Sequence, residues 1–73
     1  MSKPLCLLSR QVIDDGNNIG LATVMITEGR VTTEKFTSET PNTAYIDSKV
    51  VIDRKRRVVT WTENNGKLQT INF

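Results

Sequence analysis

The chain has 73 residues, ten of them basic against eight acidic, with one cysteine and no histidine. A domain this small buries a lower fraction of its surface than a larger one, so a deep catalytic cavity is not expected, and composition removes histidine-based triads and most metal-ligand sets. Four of the ten basic residues are consecutive, Arg54, Lys55, Arg56 and Arg57; without them six basic residues face eight acidic ones, a net charge of −2, so the chain is basic at one place only.

Residues 4–13 read as a strand entering from a loose N-terminus, since Leu5, Leu7, Leu8, Val12 and Ile13 show no helical repeat and Pro4 disfavours a helix. The run Leu5-Cys6-Leu7-Leu8, ended by Ser9 and Arg10, is shorter than the apolar part of a signal peptide and far below a membrane span. Together with the unpaired thiol of Cys6, this gives the expectation of a cytoplasmic protein with no membrane contact. Leu5, Leu7 and Leu8 either complete the core or form an arm that a partner covers, and the core is the preferred reading.

Asp14-Asp15-Gly16-Asn17-Asn18-Ile19-Gly20 reads as the longest loop of the N-terminal half, because Asp, Asn and Gly supply the side-chain bonds and positive φ values that turns use. Asp14 and Asp15 are adjacent carboxylates without a base or metal partner in the sequence, and loop solvation accounts for them. Residues 21–27 and 30–37 are the next two predicted strands, joined by a two-residue Glu28-Gly29 turn. That turn length sets Thr27 opposite Arg30, Ile26 opposite Val31, Val24 opposite Thr33 and Leu21 opposite Phe36. Ala22, Val24, Ile26 and Val31 then share the core face, while Leu21, Met25 and Phe36 partly cover the other. The Thr-rich third strand suits an edge.

The β pattern breaks over residues 38–48. Thr40-Pro41 has the chemistry of a helix start, a hydroxyl cap followed by the residue best tolerated at the first helical position, so a short helical turn is predicted near residues 41–46 with Tyr45 and Ile46 over the end of the core.

The second half is organised around residues 49–61. Val50-Val51-Ile52 and Val58-Val59-Thr60 are β-branched arms, and Asp53 with the four basic side chains suits the turn between them. Beyond this hairpin a two-residue Asn65-Gly66 loop competes with a three-residue Asn64-Asn65-Gly66 loop holding Gly66 in the left-handed region. The second is preferred. It pairs Glu63 with Lys67, Trp61 with Gln69 and Val59 with Ile71, and it gathers Val59, Trp61, Ile71 and Phe73 on one face.

The expected fold is therefore a single, mainly β domain over residues 1–73, a small antiparallel sheet or partly closed barrel of five to six strands with one short helical turn near residues 41–46. With no catalytic set and no Gly-rich phosphate loop, the chain is read as non-enzymatic, monomeric and without cofactor or metal. Arg54, Lys55, Arg56 and Arg57 are the candidate partner-binding residues. They suit a phosphate backbone, an acidic protein surface, or solvent alone. A single-strand stacking platform is not expected, because the only aromatics are Phe36, Tyr45, Trp61 and Phe73 and the core needs most of them. Trp61 is read as a central core residue in preference to a binding anchor.

Taken whole, from Met1-Ser2-Lys3-Pro4-Leu5-Cys6 to Thr70-Ile71-Asn72-Phe73, the chain resembles the small RNA-polymerase-binding transcription regulators of lytic Xanthomonas phages. The resemblance implies a protein that binds host bacterial RNA polymerase, inhibits sigma-dependent initiation and promotes antitermination. It assigns no residue, so Arg54, Lys55, Arg56 and Arg57 rest on charge alone. The alternative is a small β domain that binds nucleic acid directly through its basic hairpin tip.

Overall fold

A computed structural model of the chain describes residues 5–35 and 43–73, which form one seven-stranded sheet. The strands are β1 (Leu5–Asp14), β2 (Asn17–Thr27), β3 (Arg30–Lys35), β4 (Thr43–Ile46), β5 (Val50–Asp53), β6 (Val58–Thr62) and β7 (Leu68–Asn72). Their order across the sheet is β3-β2-β1-β5-β6-β7, with β4 paired to β1.

Three hairpins follow from local chemistry. At Glu28-Gly29 the register is as predicted, with Thr27 opposite Arg30, Ile26 opposite Val31 and Val24 opposite Thr33. At Asn64-Asn65-Gly66 Trp61 faces Gln69 and Val59 faces Ile71, Glu63 N–H donates to Lys67 O, and Gly66 has φ 92°, which is the three-residue loop. In the basic hairpin Ile52 faces Val59 and Asp53 faces Val58. Phe36, predicted opposite Leu21, and the Thr40-Pro41 cap lie outside the described residues, as does Pro4.

The predicted loop over residues 14–20 is corrected to a tight hairpin. Asp15 and Gly16 both have positive φ, 51° and 89°, the conformation in which a two-residue turn matches the twist of its strands. Asp14 faces Asn17, and the rest of the Asn-Gly run is drawn into β2. Register shifts between Ser9 and Val12 and between Val12 and Ile13 absorb the irregularity. Asn18 Oδ1 accepts the Gly20 amide at 3.1 Å.

The helical turn is corrected as well: Thr43, Ala44, Tyr45 and Ile46 are extended as β4 and pair in parallel with Cys6, Leu7, Leu8 and Ser9. An unpaired side of a central strand leaves backbone groups without partners, and β4 supplies them. β5 continues along the same side of β1, also parallel, with Val12 opposite Val50 and Asp14 opposite Ile52. The sheet is therefore mixed, where an antiparallel one was expected. It has seven strands because β4 replaces the helix. It is open rather than a barrel, with β3 and β7 at its two edges.

One face carries the core. Val12, Val24, Val50 and Val59 are fully buried, and Leu7, Ala22, Ile26, Val31, Ile46, Ile52 and Trp61 pack with them. Leu5, Ile71 and Phe73 close over this cluster. Trp61 is thus a core residue, and Leu7 is core while Leu8 points to the opposite face, half-buried. On that face Leu21 and Met25 stand exposed.

One buried polar group explains how β4 and β5 follow each other along β1. Ser9, completely buried, donates to Ser48 O at 2.8 Å. Ser48 Oγ in turn donates to Thr62 O at 2.7 Å and accepts the Thr62 amide at 3.2 Å. These bonds stand in for the ladder where the chain breaks pairing between β4 and β5, and they keep the break from burying bare backbone groups.

Candidate partner-binding site

The basic turn between β5 and β6 is held by Asp53, whose Oδ1 accepts the amides of Lys55 and Arg56 at 3.1 and 3.0 Å. This is the short local bond that makes Asp a turn residue. Arg57 closes the loop with φ 58°, a left-handed conformation usually left to Gly or Asn.

Side-chain directions split the basic run into two pairs. Arg54 folds back onto the sheet. Its Nε and Nη2 donate to the two carboxylate oxygens of Asp14 at 2.8 and 3.0 Å, and its Nη1 donates to Val31 O at 3.0 Å. The hydrogen bond with Asp14, supported by the charges of Asp14 and Asp15 and opposed by burial, holds the guanidinium above its ordinary pKa. Arg57 folds the other way. Its Nε donates to Phe73 O at 2.7 Å, its Nη2 donates to Gly29 O at 3.2 Å, and its guanidinium carbon lies 5.3 Å from the centre of the Phe73 ring. Arg54 and Arg57 thus join the tip to β3, to the turn before it, and to the end of β7. The two sheet edges are tied at this end by guanidinium groups instead of a backbone ladder.

Lys55 and Arg56 point outward. The Arg56 side chain is 85 % exposed and lies 3.9 Å from Asp53 Oδ2, a contact weak enough to leave the cation available to a partner. Of the four predicted contact residues, the structure therefore turns two outward at the apex and engages the other two, also exposed, in intramolecular bonds to Asp14, Val31, Gly29 and Phe73. Sequence could not separate them, because which way a turn side chain points depends on carbonyls supplied by distant strands.

A second feature lies at the opposite end of the core. A shallow groove of about 440 Å³ is floored by Leu5, Leu7, Ala44, Ile46 and Trp61 and rimmed by Glu63 and Asn64. Asn64 positions this rim, accepting the Asp47 amide through Oδ1 at 2.9 Å and donating from Nδ2 to Tyr45 O at 3.1 Å. In the sequence, Asn64 carries only a turn signal. Its pairing with β4 depends on a strand that was not predicted.

Comparison of the chain with protein families, curated proteins and solved structures gives no match.

Proposed function

We propose that the protein is a non-enzymatic transcription regulator that binds bacterial RNA polymerase, inhibiting sigma-dependent initiation and promoting antitermination. The polymerase enters through the whole-chain resemblance to the regulators of lytic phages. The choice of a protein partner over direct nucleic-acid binding is carried by one observation: Arg54 and Arg57 are spent on Asp14, Val31, Gly29 and Phe73, which leaves Lys55 and Arg56 as the outward cations of the tip. Roughly two phosphate contacts give a log–log salt slope of about −1.8, far from the steep dependence of proteins that hold duplex DNA by charge. Two cations on a rigid apex suit a local acidic patch on a protein, where they steer docking and fix its orientation.

The test is retention from bacterial lysate on the immobilised protein, with and without nuclease, followed by transcription in vitro from a sigma-dependent promoter and through a terminator. The expected result is polymerase retained after nuclease, reduced promoter initiation and increased read-through. Retention of nucleic acid alone, with polymerase lost on nuclease treatment, refutes the proposal and favours the direct binder.

A further inference from the structure

β4 has a strand partner on one side, β1, and among the described residues no strand lies along the other. One position on that open side is filled by a side chain: Asn64 donates to Tyr45 O and accepts the amide of Asp47. A residue in a neighbouring parallel strand does the same with its backbone, giving its N–H to one carbonyl and taking the amide two residues further along. The Asn64 carboxamide therefore stands where a peptide unit of an added parallel strand would stand.

Among the described residues nothing fills the next repeat along the same side. In an extended strand a residue's N–H and C=O point the same way and alternate residues point oppositely, so the Tyr45 N–H and the Thr43 C=O share the side on which Tyr45 O meets Asn64. Beside them is the groove. Ala44 pairs with Leu7 and so faces the core side, where its small side chain is exposed and leaves room above Leu7 and Trp61. Among the described residues the one charged side chain lining the groove is acidic, Glu63.

We infer that this groove takes an extended segment of a partner protein, which adds as a short strand parallel to β4 and stops at Asn64, seating one apolar side chain over Ala44 and Trp61 and a basic one against Glu63. Main-chain bonds to Thr43 and Tyr45 supply the attachment and the groove supplies the selectivity, as in other strand-addition sites. The inference deepens the reading of the protein as one that docks on a larger protein, and it names where a segment of that partner would sit.

The probe is a short capped peptide in which valine and lysine stand two positions apart with threonine between them, so that both face the groove; it is titrated into the full chain and followed by amide NMR. Saturable shifts at Thr43, Tyr45 and Asn64, with slowed hydrogen exchange at the Tyr45 amide, are expected. Methylating the peptide's backbone nitrogens leaves the protein untouched and should weaken binding about tenfold or more. Replacing lysine by glutamate in the peptide should weaken it as well. Tyr45→Pro deletes the outward N–H without removing a bond to β1, and Ala44→Trp fills the groove; each should abolish the shifts. Equal binding of the methylated peptide, or shifts elsewhere with Tyr45 unaffected, overturns the inference. The polymerase reading fails separately: polymerase retained equally by wild type and Tyr45→Pro sinks the groove alone, whereas peptide binding without polymerase retention sinks the polymerase alone.

Discussion

Arg57 offers a direct way to weigh a strained backbone against the side chain that maintains it. A non-glycine residue in the left-handed region costs roughly 1–2 kcal/mol, and Arg57 sits there at φ 58°. Against that stand the charged hydrogen bonds to Phe73 O and Gly29 O and the contact with the Phe73 ring. At an exposed site these together contribute about 2 kcal/mol. Arg57→Ala keeps the strain and loses the bonds, so it should destabilise by about 2 kcal/mol, whereas Arg57→Gly removes both and should cost about 1 kcal/mol or less. For a chain of 73 residues, whose total stability is roughly 4–11 kcal/mol, that difference is measurable by urea denaturation with midpoints compared at equal slope. Equal losses for the two variants would refute the strain argument. An unchanged Arg57→Ala would refute the tie between the sheet edges.

The Arg54 and Asp14 bonds predict a coupled pair. Single alanine variants should each cost about 1–2 kcal/mol, and the double variant should fall short of their sum by about 1 kcal/mol in a double-mutant cycle, because Asp14 is largely covered while Arg54 is only partly so. Since the folded state raises the Arg54 pKa, its contribution is complete at any pH below the unfolded value and is lost only as pH rises into strong alkali. The Arg54→Ala penalty should therefore be flat between about pH 6 and 9 in denaturation series. Ser9→Ala leaves Ser48 O without its buried donor and should cost roughly 1–3 kcal/mol by the same assay, with increased exchange at the amides of residues 47–49. Lys55→Gln with Arg56→Gln should leave stability within about 0.5 kcal/mol but weaken capture of polymerase and flatten its salt dependence, which a stability-neutral variant with unchanged capture would disprove.

Legibility in the sequence followed the range of the determining contacts. Glu28-Gly29 and Asn64-Asn65-Gly66 state their turn types within a few residues, so their registers and the core set Ala22, Val24, Ile26, Val31, Val59 and Trp61 could be read directly. Asp15-Gly16 carried an equally local signal, yet the asparagines after it mimic a loop until a bulge lets them pair. β4 was not legible. Thr40-Pro41 has the local chemistry of a helix start, and the extended state of residues 43–46 is set by β1, 37 positions earlier in the chain. The directions of the basic side chains were hidden for a related reason: their charge was visible, but the carbonyls of Gly29, Val31 and Phe73 that Arg54 and Arg57 bond are assembled only by the fold.

The parallel seam along β1 also bears on how the chain reaches this structure. β1, β2 and β3 form a meander of neighbouring hairpins, and so do β5, β6 and β7. Each can zip from its own turns in the microseconds typical of hairpins. Joining them requires closing the long connection between β1 and β5, and little of that seam is rewarded until Val12 meets Val50 and Ser9 reaches Ser48. Docking of two preformed halves is then the slow event in folding, and substitutions at Ser9 or Val50 should slow refolding while those in the outer hairpins chiefly speed unfolding.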